Sequence, residues 1–167
     1  FVPGDFEMPR DRATFRTSVD RVEEGYFETF GIPILRGRAF RRSDTADAPD
    51  VAIVNEHFEQ RYWPNSTALG KRIRLDGPQG RMVEIVGVAP TIKYFQTMER
   101  PRDFLYLPLA QHPQNRMVLM LRTADDPLRS TEAVREVVRK LDANMPVIEM
   151  RTYEDLYRYN TVDGPQV

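Results

Sequence analysis

The sequence predicts an α+β fold in which short strands alternate with a few short helices. A continuous apolar run occurs at Val51–Val54, a pattern typical of a strand covered on both faces, and the mainly apolar segments Val83–Val88 and Phe104–Leu109 also have strand length. Helical spacing is restricted to short stretches, chiefly those that follow Asn55 and Asp126. Strands therefore outnumber helices in the predicted fold.

Length and composition indicate a globular protein. The 167 residues are enough for one domain, or for two small lobes that share a core. With 24 basic and 25 acidic side chains the net charge is −1, which disfavours binding of nucleic acid. The lack of cysteine excludes a disulfide framework and thiolate metal sites. No apolar run reaches the roughly 20 residues that span a bilayer.

The N-terminal part predicts two strands and one helix. Apolar and polar residues alternate over 13–22, which predicts a half-buried strand. The residues expected on its inner face are Phe15, Thr17 and Val19. A short helix over 23–30 follows and ends at Gly31, which suits the left-handed conformation there. The next strand, Ile32–Phe40, is expected to bend at Gly37.

The middle of the chain predicts a capped helix and a hairpin. Asn55 is placed to cap an aromatic helix that ends at Pro64. Beyond it, Lys71–Leu75 and Arg81–Val88 are expected to pair as antiparallel strands across a Gly-Pro loop.

The last third predicts a strand–helix–strand unit and a final helix. Its strands are Met117–Arg122 and Val147–Met150, and the helix between them has Asp126 as its cap and Pro127 as its first residue. The expected buried stripe of that helix is Val134, Val137, Val138 and Leu141. The final helix is expected over Tyr153–Tyr159.

A metal site is one hypothesis for His57, and an enzyme that used it would be a metallohydrolase. The acids that could join it are Asp44, Asp47 and Asp50. The alternative is that the carboxylates solvate a loop and that His57 lies on an exposed helix face. No HExxH, Gly-x-Ser-x-Gly or phosphate-binding glycine spacing is present. We therefore favour the alternative and predict no enzyme, and no catalytic, cofactor-binding or metal-binding residue.

Two further groups have both a functional and a structural interpretation. The basic group could bind anions, or it could be the solvated face of strands; it consists of Arg36, Arg38, Arg41, Arg42, Lys71, Arg72 and Arg74. The aromatic group could line an apolar groove, or it could form the core; it consists of Tyr26, Phe27, Phe30, Phe58, Tyr62 and Trp63. We favour the structural interpretation for both, because nearby acidic residues can neutralise the basic group and because small lobes need large aromatic side chains to bury enough surface.

The order of these segments resembles that of the MacB-like periplasmic core domain. Residues 22–40, VEEGYFETFGIPILRGRAF, are similar to the V-x-x-x-YF-x-x-x-G-I-P-x-x-x-GR-x-F opening of that family. The similarity continues in the segments VAIVNE, YWP, GKRIRL, EIVGV and YLPLAQ, and it covers most of residues 22–150. One departure is Ala89-Pro90, where many relatives carry a small residue and an Asp.

The resemblance implies a two-lobed extracytoplasmic domain. A porter-like lobe of βαβ units would comprise residues 1–36 with 111–167, and a smaller, mostly-β inserted lobe would comprise 37–110. Together they would form a single domain, 1–167, between the first two transmembrane helices of a longer protein. The start at Phe1, without an initiator Met, also suggests a piece of a longer protein. The expected location is the periplasmic side of the inner membrane.

The resemblance also implies a function without catalysis. The domain would belong to a bacterial ABC transporter permease and relay ATP-driven conformational change to periplasmic partners or substrate, in export, lipoprotein handling or signalling. The implied partner is a cytoplasmic ABC ATPase domain or subunit, reached through the membrane part. A periplasmic adaptor or envelope protein and a parent homodimer stay open; nucleic acid and cofactors are not expected. The alternative function is a periplasmic binding domain for an apolar ligand or lipoprotein.

Overall fold

The computed structural model describes residues 1–4, 13–93 and 100–158. The strands among them are β1 (Val2–Pro3), β2 (Ser18–Val22), β3 (Arg36–Gly37), β4 (Val51–Asn55), β5 (Arg72–Arg74), β6 (Met82–Ala89) and β7 (Phe104–Pro108). The α-helices are α1 (Tyr26–Thr29), α2 (Glu56–Tyr62), α3 (Thr131–Leu141) and α4 (Tyr153–Arg158). This content confirms the predicted α+β class.

The chain groups into two compact units, which are described separately. The sheet unit comprises residues 1–92 with 100–118 and contains every strand of the described residues. The C-terminal unit comprises 93–99 with 119–167 and contains α3 and α4. The predicted division into a porter-like lobe and an inserted lobe stays a prediction. No helix of the described residues is long and apolar enough to cross a membrane.

The sheet unit is organised around two central strands, β4 and β7, whose residues are all buried. They pair antiparallel, while β4 also pairs in parallel with β6 and β7 in parallel with β2. The strand order is β1-β5-β6-β4-β7-β2, with β3 paired to β6. The apolar run of β4 is thus covered on both faces, as predicted, and the predicted apolar strand β7 is also fully buried. The β5–β6 hairpin is also confirmed.

The N-terminal elements are shorter than predicted, and the predicted inner face of the first of these strands is wrong. Strand β2 begins only at Ser18, at the edge of the sheet. Val22 is its buried residue, whereas Val19 is 42% exposed, so Val19 does not lie on the inner face. Because side chains alternate along a strand, the phase set by Val22 turns Val19 outward. Of the predicted strand 32–40, only the two residues of β3 pair.

The strand predictions for the last third are wrong, but the helix is confirmed. Met117–Arg122 and Val147–Met150 have no strand structure. A strand needs backbone partners on a neighbouring strand, and residues 111–158 contain none. Asp126 accepts a hydrogen bond from Leu128 N at 3.0 Å and begins a 3-10 turn, Pro127–Ser130, that leads into α3. The predicted buried stripe is also wrong, since Val137 is 57% and Leu141 78% exposed.

Candidate functional site

Asp103 is a buried carboxylate that holds three side chains of one helix. It lies directly before β7 and is only 6% exposed. From α2, Arg61 Nη1 donates to Asp103 Oδ2 at 2.6 Å, and the Tyr62 hydroxyl donates to the same oxygen at 3.0 Å. His57 Nδ1 lies 2.8 Å from Asp103 Oδ1. A buried carboxylate needs such partners, because its desolvation is otherwise costly.

An open cleft of about 410 Å³ lies beside this cluster. Its walls come from α2 and from the segments that precede the parallel strands β2 and β7. These segments adjoin because Ser18 is paired with Phe104, and Ser18 N donates to Asp103 O at 3.3 Å. The lining residues are Arg16, Thr17, Ser18, His57, Arg61, Pro101, Arg102 and Asp103. The described part of the lining therefore has three arginines and one aspartate, an excess of positive charge.

The structure does not bring together the residues of the metal-site hypothesis, the less favoured interpretation from the sequence. His57 is paired with Asp103. Asp44 is instead bound by Arg38, whose Nη1 and Nη2 donate to the two carboxylate oxygens of Asp44 at 2.8 and 2.9 Å. Arg41 N also donates to Asp44, at 2.8 Å. Within residues 1–4, 13–93 and 100–158, no group of His, Cys, Asp and Glu could hold a metal ion. The acidic loop residue Asp44 thus has a structural role, since it binds Arg38 and the backbone of Arg41.

Asp44 gives the fold a dependence on acid pH. Burial alone would raise its pKa, but the hydrogen bonds from Arg38 and Arg41 outweigh burial, and the pKa is lowered from its ordinary value of 3.8. A carboxyl group with a lowered pKa in the folded state contributes stability above pH 3.8, and that contribution is lost as pH falls through the folded-state pKa.

We therefore expect Asp44→Asn to reduce the free energy of unfolding by about 1–3 kcal/mol at neutral pH, since charge-assisted hydrogen bonds are lost. The difference from the unmodified chain should shrink as pH falls below 3.8. Urea unfolding at a series of pH values measures it. Asp125→Asn, at an exposed position, is the control. A difference for Asp44→Asn that stays constant with pH would contradict this assignment.

The basic group is largely paired with acids, as the structural interpretation predicts. Ion pairs join Arg36 to Glu59, Arg38 to Asp44, Arg42 to Glu24 and Arg72 to Glu84. The cations of the cleft are different residues, and sequence reasoning missed them. Arg16, Arg61 and Arg102 follow no common spacing in the chain, and they come together only because β7 pairs both with β2 and with β4, the strand that leads into α2.

Four members of the aromatic group, Phe27, Phe58, Tyr62 and Trp63, belong to the packed interior, and Tyr26 and Phe30 are half-buried. Phe58 is fully buried, with Tyr62 3% and Trp63 6% exposed. Their rings contact one another, and the Phe58 and Tyr62 centroids lie 4.7 Å apart. Phe27 is buried against Tyr106, at a centroid distance of 5.0 Å. These rings supply core surface, as the favoured interpretation states.

Two buried amides fasten loops to the central strands. Asn55, fully buried, caps α2 through Phe58 N at 3.0 Å and also accepts from Phe104 N at 3.1 Å. Its Nδ2 donates to Arg102 O at 2.8 Å, which fixes the backbone of a residue that lines the cleft. Gln111 accepts from Val51 N at 3.0 Å and donates to Thr45 O and Pro49 O. Asn55 was predicted as a cap, whereas its bonds to the β7 side were not.

The mixed sheet, tied by buried polar side chains, defines an α+β scaffold domain. The chain belongs to the MacB-like periplasmic core domain family, whose model matches residues 5–141. It is thus an extracytoplasmic domain of a MacB-like ABC transporter permease. No curated protein matches the chain.

Two solved structures with TM-scores above 0.5 show the same fold, and a third has a lower similarity. The periplasmic region of MacB from Actinobacillus actinomycetemcomitans has a TM-score of 0.54 and 16% identity, over 74% of this chain and 56% of that one. A domain from Porphyromonas gingivalis described as a permease protein has a TM-score of 0.51 and 18% identity, over 89% and 75%. The extracellular domain of the noncanonic ABC-type transporter YknZ from Gram-positive bacteria has a TM-score of 0.41 and 19% identity, over 54% and 42%. The chain spans little more than half of the MacB region that it matches.

Proposed function

We propose that the chain is a non-catalytic domain on the periplasmic side of the inner membrane, and that it relays ATP-driven conformational change to periplasmic partners or substrate. The transporter's role would be export, lipoprotein handling or signalling. Membership in the MacB-like family supports this proposal. The proposed partners are an ABC ATPase domain or subunit in the cytoplasm and a periplasmic adaptor or envelope protein, with the parent protein acting as a homodimer.

The relay proposal rests on the hydrogen bonds and the ion pair that connect loops to the sheet. A relay must move as one body, and a close-packed interior transmits displacement because it is hard to compress. Glu59, which is buried, accepts hydrogen bonds from Ala68 N at 2.8 Å and Thr67 Oγ1 at 3.2 Å, and it pairs with Arg36. Together with Asn55 and Gln111, it ties the loops of the sheet unit to α2 and β4.

The alternative, capture of an apolar ligand or lipoprotein, has less support. Its basis is the aromatic group, and those rings are occupied by one another in the core. The cleft of the sheet unit is lined mainly by charged and hydroxyl side chains, which suits a polar ligand better than an apolar one.

The periplasmic location can be tested with single cysteines in the full-length protein, after any cysteine outside residues 1–167 has been replaced, because these residues contain none. In the full-length protein in intact cells, a membrane-impermeant maleimide should label Ser66→Cys, at an exposed position. The matched control is Ala52→Cys, at a fully buried position of β4, which should react only after denaturation. Labelling of Ser66→Cys only after the cells are broken open would contradict the location.

The relay itself requires the whole transporter, reconstituted in vesicles with its ATPase. A spin label at Ser66→Cys or at Gln79→Cys, both exposed, should change its distance to the same label in the other protomer of the proposed homodimer when ATP replaces the nucleotide-free state. The distance between the two positions within one sheet unit should stay constant, because the proposed relay moves that unit as one body. An ATPase variant that binds no nucleotide is the control and should show no change. Identical spectra in all nucleotide states at both positions, with ATP hydrolysis intact, would contradict the relay while leaving the location untouched.

A further inference from the structure

The cleft beside α2 holds cationic groups that the scaffold fixes in place. Arg61 donates to the buried Asp103, and its guanidinium carbon lies 5.4 Å from the centre of the Tyr62 ring. These contacts on two sides reduce the number of conformations that Arg61 can adopt. Its side chain is still 51% exposed, so donors that do not bind Asp103 are accessible from solvent. Arg61 is therefore a pre-oriented anion donor at the cleft wall.

His57 is fixed in the same way. Its Nδ1 faces Asp103, which leaves Nε2 on the opposite edge of the ring, and the side chain is 33% exposed. An ionised carboxylate only accepts, so the shared proton belongs to Nδ1. Nε2 can then accept a proton from a ligand or, when the ring is protonated, donate one to it.

The remaining lining adds charge and hydroxyl groups. Arg16 is exposed and has no ion-pair partner among the residues that the structure describes. Arg102 adds a further cation, and Thr17 and Ser18 add hydroxyls. Among the lining residues that the structure describes, Asp103 is the single acid, and its two oxygens already accept from three side chains. The net charge of these described residues is therefore positive, even with His57 neutral.

We propose that this cleft binds a phosphate monoester group. Several cations converge there, as expected for a ligand that carries up to two negative charges. A phosphate monoester also retains a P–OH at neutral pH in part of its population, and this group can donate to His57 Nε2, which an ionised carboxylate cannot do. A volume of about 410 Å³ exceeds that of bare phosphate, so the phosphate would be carried by a small organic molecule or a lipid headgroup.

The two histidines of the chain make the binding measurable. Ring resonances of His57 and His112 can be followed by NMR during titration with inorganic phosphate and with glycerol phosphate, at constant pH and ionic strength. Saturable displacement of the His57 resonance, with that of His112 unchanged, is expected for both ligands. His57→Gln identifies which resonance is which. No saturable displacement, or parallel displacement of both histidines, would overturn the proposal.

Arg16→Gln tests the site without disturbing the Asp103 cluster, because Arg16 takes no part in it. We expect the affinity for glycerol phosphate to fall about tenfold, as for the loss of one charge-assisted hydrogen bond. Arg129→Gln, an exposed arginine of the C-terminal unit, should leave the affinity unchanged. Equal weakening by both variants would show a non-specific charge effect and overturn the proposal. Circular dichroism confirms that both variants are folded.

The source of the phosphate is resolved by two further arms. Phosphatidylcholine vesicles with phosphatidic acid should sediment with the chain, and Arg16→Gln should abolish this, if the ligand is a lipid headgroup. Binding of glycerol phosphate without vesicle binding would indicate a soluble ester. Acetate that displaces the His57 resonance with the same affinity as phosphate would overturn the assignment to a phosphate. These results are independent of the relay, since the isolated chain is sufficient for all of them.

Discussion

Replacing Gly37 by alanine is expected to lower the free energy of unfolding by about 3 kcal/mol or more. Gly37 has a φ of +76°, in the left-handed region, where an L side chain costs about 1–2 kcal/mol. An added Cβ would also lie 2.2 Å from Val86 O and 2.7 Å from Leu69 Cδ2. Val86 O cannot easily move, because it accepts a hydrogen bond from Arg38 N at 2.9 Å. The cost of the left-handed backbone conformation and the cost of the steric overlap therefore add.

Gly31→Ala is the matched control for this substitution. Gly31 has a φ of +65°, but nothing lies within 4 Å of the Cβ that would be added. Its replacement should cost only the left-handed term, about 1 kcal/mol. The single tryptophan, Trp63, is buried and reports unfolding in urea by fluorescence. Equal losses of stability in the two variants would show that the close approach of β3 to β6 has no energetic weight.

The central strands could be predicted because their residues alone determine the outcome. The apolar runs of β4 and β7 lack the alternation of apolar and polar residues that a strand with one face in water would show. Both strands are buried in the structure. The cap at Asn55 and the left-handed Gly31 are also local, since each depends on a few neighbouring residues. These features follow from spacing and backbone conformation.

The candidate site could not be predicted, because it depends on contacts that are distant in the chain. Asp103 is 46 residues from His57 and 42 from Arg61. In the sequence it is one acid that follows Arg100 and Arg102, with nothing to indicate burial. Only the pairing of β7 with β4, the strand that leads directly into α2, places it beside that helix, and strand order is not encoded in any local pattern.

In the last third of the chain, residue spacing predicts the helix correctly but not the burial or the neighbouring strands. The spacing of Val134, Val138 and Leu141 predicts a helix correctly, because helix formation depends on the segment itself. Burial of that stripe, and strands at Met117–Arg122 and Val147–Met150, require neighbouring elements. The described residues from 111 to 158 offer no strand as a partner, so the apolar side chains stay exposed.

Replacing Asn55 by alanine is expected to cost about 3 kcal/mol of unfolding free energy, through buried groups left without partners. The side chain is fully buried, and its removal deprives Phe58 N and Phe104 N of their acceptor and Arg102 O of its donor. Each unsatisfied buried group costs about 1–3 kcal/mol, and loss of the helix cap alone about 1 kcal/mol. The costs overlap because the groups share one side chain.

Urea unfolding of Asn55→Ala measures the loss, with Asn144→Ala, at an exposed position, as the matched control that should change stability little. Hydrogen exchange gives a second, local readout. The amides of Phe58 and Phe104 should exchange faster in Asn55→Ala than other amides of the same strands and helix, since they lose their acceptor. A stability loss without this selective exchange would assign the effect to the cavity. Because Asn55 also fixes Arg102 O, its loss should loosen the cleft itself.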